Sequence, residues 1–341
     1  MSTVSAMPYS NFCRVEAYPV TAPVLSVVIP VFNEEAVLPS LFDRLYPALD
    51  ALDRPYEVVF VNDGSRDNSV ALLRAQYQRR PHETRVVLLQ VNFGQHAAIL
   101  AGFARSRGAY VVTLDADLQN PPEEVGRLLE QLEAGYDYVG TWRAKRQDNW
   151  FRKYASRVVN VVRAKLTGIR MADHGCMLRG YARPVIDAIN ATRENVTFIP
   201  ALASIYSARS IEIEVQHDER IAGTSKYSLL RLIRLTFDLM TGFSTVPLQV
   251  FSLVGSVVSA LSAILVVYML GRRLFLGPEV DGVFTLFAIV FFFLGIALFG
   301  IGLLGEYIGR IYLQVRQRPR YLIGAVLGES ADEPRGSRRD E

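Results

Sequence analysis

The chain has 341 residues, of which 50% are hydrophobic, and a formal net charge of +3. This length suffices for one large core and additional segments, and so small a positive excess gives no indication of a nucleic-acid partner. Cys13 and Cys176 match no zinc-ligand spacing, which argues against a cysteine-based metal site or a disulfide framework. Residues 1–23 lack the apolar stretch of a secretory signal, so we predict a flexible segment ahead of a domain that stays in the cytoplasm.

From residue 24 to residue 225, short apolar runs alternate with stretches of helical periodicity. This alternation is typical of an α/β domain in which helices cover both faces of a mainly parallel, Rossmann-like sheet. Ligands of such sheets bind outside the carboxyl ends of the strands. The predicted strands are LSVVIPVF, YEVVFVNDGS, RVVLLQVN, AYVVTLDAD and YDYVGTWR, and the predicted helices are residues 34–52, DNSVALLRAQYQRR, GQHAAILAGFARSRG and PPEEVGRLLEQLEAG.

Two polar segments follow predicted strands. Asp115, Asp117 and Gln119 stand at every second position after the fourth strand, a spacing that puts side chains on one face of an extended backbone. Asp63 lies in VNDGS after the second strand. For Asp63 two interpretations stay open, an Asp-Gly turn or a contact with a base or ribose at the strand end.

The chain contains no Gly-rich phosphate cradle of the G-x-G-x-x-G or G-x-x-x-x-G-K-[ST] type. A bound diphosphate would then need another counter-charge, and Mg²⁺ or Mn²⁺ held by carboxylate oxygens supplies one. The alternative is that Asp115 and Asp117 only cap a turn and a helix N-terminus.

The C-terminal third contains two long stretches without charge. No charged residue occurs between Asp238 and Arg272, or between Asp281 and Glu306. A bilayer is crossed by about 20 apolar residues, so we predict transmembrane helices at residues 248–270 and 283–304. The alternative is a pair of buried core helices.

The segments that flank these two spans carry the lysines and arginines, while the short loop between the spans is balanced in charge. The positive-inside rule therefore places both outer segments in the cytoplasm. Residues 226–247 mix apolar residues with Arg231 and Arg234 at helical spacing, which predicts amphipathic juxtamembrane helices. Residues 305–341 are predicted to form a cytoplasmic C-terminal segment.

Several stretches together resemble the polyprenyl-phosphate glycosyltransferases of glycosyltransferase family 2, which have a GT-A fold. The resemblance covers residues 25–321. It rests on VVIPVFNEE, VNDGSRDNS, LDADLQNPPEE, VNFGQHAAILAGF, GTWRAKRQDNWFRKYASR, DHGCMLRGY, FIPALASIY, GTSKYSLLRLIRL and LLGEYIGRIY.

The resemblance implies roles for particular residues. Aspartates and a glutamine of LDADLQN contact the nucleotide and the metal, while basic and hydroxyl residues meet the phosphates, especially that of the lipid acceptor. The nucleotide-sugar residues are Pro30, Phe32, Glu34, Asp63 and Asp115; the metal ligands are Asp117 and Gln119; the lipid-phosphate residues are Arg143, Arg152, Ser156, Arg220, Ser225 and Lys226; and the catalytic set is Asp115, Asp117, Asp173, Arg152 and Ser156.

Two of these roles have an ordinary structural alternative. The basic segment that contains Arg152 and Ser156 is also typical of a solvated helix face or of a patch that contacts anionic lipid headgroups. Asp173 serves as a base, orients an arginine, or forms a simple ion pair with Arg179.

The activity implied is metal-dependent, inverting transfer of 4-deoxy-4-formamido-L-arabinose from UDP to undecaprenyl phosphate for lipid A modification, with Mg²⁺ or Mn²⁺ as cofactor. Another sugar, such as glucose or mannose, is the alternative. The resemblance further implies a homotetramer in the bacterial inner membrane.

Two rival classes are less compatible with the sequence. A polymerising synthase would carry a Q-x-x-R-W motif and more spans, and neither occurs. A non-enzymatic sensor of nucleotide sugars, or a transporter subunit, would not require the set Asp115, Asp117 and Gln119.

Overall fold

A computed structural model describes residues 23–143, 176–192, 198–216, 246–276, 283–316 and 318–328. Within these residues the chain forms one eight-stranded sheet in the order β7-β5-β6-β4-β1-β2-β3-β8. The strands are β1 Leu25–Val31, β2 Tyr56–Asn62, β3 Thr84–Leu89, β4 Tyr110–Thr113, β5 Tyr138–Arg143, β6 Arg179–Ala182, β7 Ser210–Val215 and β8 Ile323–Leu327.

The central part of the sheet is parallel, as predicted: β1 pairs in parallel with β2 and β4, and β2 with β3. Towards one edge the pattern becomes mixed, because β6 runs antiparallel to both β4 and β5 while β5 and β7 are parallel. The result is a GT-A-like mixed α/β fold, in which four neighbouring strands aim their carboxyl ends at the same edge.

Helices cover both faces of the sheet, and the alternation of side chains along β1 shows how. Val27 and Ile29 belong to the core beneath the first and fourth helices, whereas Val28 belongs to the core beneath the third. Because both faces are buried, the strand is almost continuously apolar. The helices are α1 Leu38–Asp50, α2 Ser69–Arg79, α3 Gln95–Phe103, α4 Val125–Glu133, α5 Arg183–Ala191, α6 Ile199–Tyr206, α7 Val246–Leu276 and α8 Val283–Val315.

Both predicted spans lie within the long helices α7 and α8. Among the described residues, one helix is long and apolar enough to cross a membrane, over Ile289–Val315 in α8. In α7 the corresponding apolar stretch is shorter, at Leu248–Val258. The expectation of two spans is therefore met by one helix on this criterion.

Strand β8 is an addition to the predicted fold. It comes from the segment after α8, where no strand was expected, and pairs antiparallel with β3. The backbone amide of Gln90 continues this pairing by donating to the carbonyl of Leu322 at 3.0 Å. Strand β8 thus covers the β3 edge of the sheet, which would otherwise expose unpaired backbone groups.

A buried ion-pair network lies at the amino-terminal edge of the sheet. The Glu57 carboxylate on β2 is 1% exposed. It accepts hydrogen bonds from the Ser26 hydroxyl at 2.7 Å and from the Arg107 backbone and guanidinium at 2.6 and 2.9 Å. Since every donor is well placed, the network fastens the α3–β4 connection to the first two strands.

Candidate active site at the carboxyl edge of the sheet

The loops after β1, β2, β3 and β4 meet at one edge, because these four strands are adjacent and parallel. The residues predicted to bind the nucleotide sugar or the metal all lie there. Pro30 is half-buried near the end of β1 and Glu34 is half-buried in the loop that follows. Phe32 is 44% exposed in the same loop, so its ring is available to stack on a ligand.

Hydrogen bonds join the loop after β1 to the loop after β2. The backbone amide of Asn33 donates to the Ser65 hydroxyl at 3.0 Å, and that of Glu34 donates to the Ser69 hydroxyl at 3.0 Å. Asn33 itself adopts φ 56°, a left-handed conformation that asparagine tolerates better than most residues. The two loops therefore form one framework around Phe32.

Asp63 occupies the centre of this edge. Its carboxylate is 3% exposed and accepts hydrogen bonds from the backbone amides of Phe93 at 2.7 Å and Gly94 at 2.9 Å. Burial raises the pKa of Asp63, and the two amide donors act against that rise. The side chain therefore holds the loop between β3 and α3, a role the sequence did not reveal.

Gly64, directly after Asp63, shows how closely the two loops pack. Its φ is 68°, and a Cβ there would lie 2.6 Å from the carbonyl carbon of Val91. Only glycine fits both the conformation and the space, which explains the Asp-Gly pair in VNDGS.

The loop between β3 and α3 also reaches the end of β4. Gly94, with φ 92° and ψ 157°, precedes α3, and the next residue, Gln95, donates its side-chain amide to Asp115 Oδ1 at 2.7 Å. Asp63 and Asp115 are thereby connected through three consecutive residues of one loop.

Asp115, Asp117 and Gln119 are all partly exposed, while Ala116 and Leu118 between them, and Asn120 after them, are buried. All three are partly exposed, as the one-face prediction requires, but the predicted cause, extended backbone, is wrong. Strand β4 ends at Thr113, and Leu118 has φ 57°. A turn produces the alternation. It is closed by the backbone amide of Gln119, which donates to Asp117 Oδ1 at 3.2 Å.

The donor set at this turn fits a hard divalent cation. Asp117 and Gln119 offer carboxylate and amide oxygens on one exposed face, and Mg²⁺ or Mn²⁺ commonly takes one or two carboxylates and completes its shell with substrate phosphates and water. The part of the chain that the structure describes has no group of three or more His, Cys, Asp or Glu side chains placed for a metal. A site here would therefore depend on oxygens from the substrate.

Two groups beneath the site were not predicted. Arg179 on β6 is fully buried, donates to the Cys176 carbonyl at 2.8 Å and contacts the Tyr138 hydroxyl. His96 on α3 packs edge-on against Phe198 at 5.5 Å. Burial, with a smaller contribution from the Arg179 cation, lowers the pKa of His96 to about 4. His96 is therefore neutral at pH 7, and its Nδ1 has no hydrogen-bond partner among the described residues.

The remaining predicted residues fall outside this description. Only the backbone of Arg143 is described, at the end of β5. The others lie outside the described residues, and their roles stay predictions; they are Arg152, Ser156, Asp173, Arg220, Ser225 and Lys226.

Comparison with known proteins identifies the class first. Residues 26–190 match the model of glycosyl transferase family 2, so this protein is a glycosyltransferase, as its sheet edge with paired aspartates suggested. The chain is 52% identical over 307 residues to the undecaprenyl-phosphate 4-deoxy-4-formamido-L-arabinose transferase of Serratia proteamaculans, covering 89% of this chain and 94% of the relative. Against the transferase of the same description from Aeromonas hydrophila it is 52% identical over 312 residues, covering 91% and 95%.

The chain therefore belongs to the undecaprenyl-phosphate 4-deoxy-4-formamido-L-arabinose transferase family, and the resemblance stated from its motifs is confirmed. Among solved structures it is similar to glucosyl-3-phosphoglycerate synthase from Mycobacterium tuberculosis in complex with Mn²⁺, uridine diphosphate and glucosyl-3-phosphoglycerate. That similarity has 18% identity and a TM-score of 0.47, over 64% of this chain and 78% of the other. It is too distant to bear on the substrate or the metal of this chain.

Proposed function

We propose that this protein transfers 4-deoxy-4-formamido-L-arabinose from UDP to undecaprenyl phosphate, with inversion at the anomeric carbon, and so supplies the lipid-linked sugar for lipid A modification and polymyxin resistance. The observation that carries the proposal is 52% identity to the Serratia transferase over 94% of its length. The described sheet edge supports it, because Asp63, Asp115 and Asp117 converge there as a nucleotide-sugar transferase requires.

The donor half of the proposed site consists of described residues. Phe32 presents an exposed ring for stacking on the base. Pro30 and Glu34 line the same crevice, and Asp63 and Asp115 accept hydrogen bonds from the base and the ribose. A carboxylate has about four lone-pair sites, so Asp63 retains acceptor capacity beyond its bonds to Phe93 and Gly94.

In the reaction, an oxygen of the lipid phosphate forms the new bond to the anomeric carbon. The bond between that carbon and the diphosphate breaks, and its electron pair leaves with UDP, so a single displacement inverts the configuration. A phosphate monoester has a second pKa near 6 and is largely anionic at pH 7. The acceptor therefore needs no strong general base, unlike a hydroxyl.

Charge neutralisation is the main task that remains, because two anions approach one carbon. Mg²⁺ or Mn²⁺, held by Asp117 and Gln119, would supply positive charge to the leaving diphosphate. Arginine suits a phosphate acceptor, because its planar fork binds two oxygens at once. The acceptor residues proposed from the family motifs are Arg143, Arg152, Ser156, Asp173, Arg220, Ser225 and Lys226.

We place the protein in the bacterial inner membrane as a multi-pass protein, with α7 and α8 as two spans and the catalytic domain in the cytoplasm. The helical bounds of α7 and α8 support this placement, since both exceed the length of a bilayer crossing. A Cβ added at Gly255, Gly305 or Gly309 would meet no other described atom within 4 Å. Such open small-residue positions favour close packing against helices of further copies, in line with a homotetramer.

The test is a transfer assay in detergent with undecaprenyl phosphate and either Mg²⁺ or Mn²⁺. UDP-4-deoxy-4-formamido-L-arabinose, UDP-glucose and GDP-mannose are offered separately, and the lipid product is followed by mass spectrometry. We expect product with the formamido sugar alone. Product with only another sugar would keep the mechanism and overturn the substrate, and no product with any donor would favour a nucleotide-sugar-binding protein.

A further inference from the structure

Gln95, the first residue of α3, donates a side-chain hydrogen bond to the carboxylate of a predicted site residue, Asp115. Its amide Nε2 lies 2.7 Å from Asp115 Oδ1. Gln95 is exposed and Asp115 is partly exposed, so the pair lies at the surface of the site and not within the core. A hydrogen bond of this kind restricts the orientation of the carboxylate.

The backbone that carries Gln95 is itself fixed. The two amides just before it, those of Phe93 and Gly94, donate to the two oxygens of Asp63 at 2.7 and 2.9 Å. Gly94 then turns the chain with φ 92° and ψ 157°, a combination that glycine adopts without strain. The position of Gln95 at the start of α3 follows from these contacts.

We propose that Gln95 is a positioning residue for the donor nucleotide: it holds the Asp115 carboxylate in its binding orientation, and Asp63 holds the loop that delivers Gln95. The proposal rests on the proposed function, since it treats Asp63 and Asp115 as donor-binding groups. The hydrogen bond from Gln95 uses one acceptor position of the Asp115 carboxylate, and a carboxylate accepts several hydrogen bonds. Preorganisation of this kind improves donor affinity by removing the cost of ordering the carboxylate on binding.

The variants Gln95→Ala and Gln95→Glu separate this role from competing ones. Alanine removes the donor, and glutamate replaces it with a negative charge beside Asp115. Gln78→Ala and Gln78→Glu are matched controls, because Gln78 is an exposed glutamine on α2, away from the site. A third variant, Gln95→Lys, restores a hydrogen-bond donor of similar reach and adds a positive charge beside Asp115.

Binding of UDP with Mn²⁺ to the full-length protein in detergent is measured by calorimetry, next to the donor KM and kcat. We expect the dissociation constant and the donor KM to rise about fivefold in Gln95→Ala, matching the loss of one net hydrogen bond. The rise should be larger in Gln95→Glu because of like-charge repulsion, with partial rescue in Gln95→Lys. The Gln78 variants should match the wild type, and kcat should stay within about twofold throughout.

Three results would overturn the proposal. Unchanged or tighter UDP binding in Gln95→Ala would mean that Gln95 is idle or competes with the ligand. A fall in kcat without a change in KM would place Gln95 in the chemical step. Failure of the wild type to bind UDP would remove the donor-site assignment as a whole, whereas normal UDP binding without transfer of the formamido sugar would overturn only the proposed substrate.

Discussion

His96, beside the site, leads to a prediction of how the stability of the fold depends on pH. The pKa of His96 is about 4 in the folded protein, because burial and then the Arg179 cation disfavour its charged form, while an unfolded histidine titrates near 6.5. The folded pKa of this base is depressed, so the unfolded chain binds more protons. The stability contributed by neutral His96 is therefore complete above about pH 6.5 and is lost as the pH falls towards 4.

The two values allow an estimate of the magnitude. Between pH 7 and pH 5 the linkage relation gives a loss of up to about 2 kcal/mol from this one group. The ring is partly exposed while its Nδ1 is inaccessible to solvent, so we expect about 1–2 kcal/mol. For a domain of this size, such a loss lowers the melting temperature by about 4 °C.

The assay compares melting temperatures at pH 7 and pH 5 for the wild type, His96→Gln and His82→Gln, all in the same detergent. His82 is an exposed histidine in the described part of the chain and serves as the matched control. We expect the acid-induced fall to be about 4 °C smaller in His96→Gln than in the other two proteins. An equal fall in all three would show that His96 does not stay neutral, and would refute the reasoning from burial.

Three further changes test the site and its framework. Asp117→Asn should abolish metal-dependent transfer at an unchanged melting temperature, because the side chain is partly exposed; normal turnover would exclude Asp117 from the metal role. Gly64→Ala should destabilise the protein by about 2 kcal/mol or more, because the new Cβ would lie 2.6 Å from the backbone of Val91 and the φ of residue 64 is 68°. Thermal unfolding measures this change. A shift of the melting temperature under 1 °C would contradict the rigid packing of the two loops. Glu57→Gln should lower the free energy of unfolding by about 2–3 kcal/mol, because it removes the carboxylate that Arg107 and Ser26 contact. The donor KM should stay unchanged, because Glu57 lies at the opposite edge of the sheet. A changed KM would reveal coupling across the sheet.

The sequence predicted the parallel centre of the fold because the signal there is local. In β1 and β2 nearly every residue is buried, so continuous apolar runs identify these strands without knowledge of their partners. The two edge strands, β7 and β8, were not predicted because their signals are weak. Strand β7 has the alternating sequence SIEIEV with both faces partly exposed, and β8 is a five-residue run far from its partner β3.

The sequence predicted which residues meet at the site, but not the contacts that hold them in place. Asp63, Asp115, Asp117 and Gln119 follow strands in the sequence, so their convergence on one edge could be inferred from strand order alone. The contact between Gln95 and Asp115 could not, because it joins residues 20 positions apart and depends on where a loop is held by Asp63. The prediction of a helix over GQHAAILAGFARSRG was correct for α3, but it gave no indication of the role of Gln95, the first residue of that helix.

The hydrogen bonds at the site bear on which chemistry its carboxylates perform. Asp63 accepts hydrogen bonds from two backbone amides, and Asp117 accepts one from the backbone amide of Gln119. Asp115 accepts a hydrogen bond from the side-chain amide of Gln95. None of these donors is a group that would relay a proton. Carboxylates that accept hydrogen bonds in this way are suited to orient a nucleotide and a cation. A lipid phosphate, which arrives already anionic, is the acceptor that such a site can use, so the described half of the active site favours the same reaction as the family to which the chain belongs.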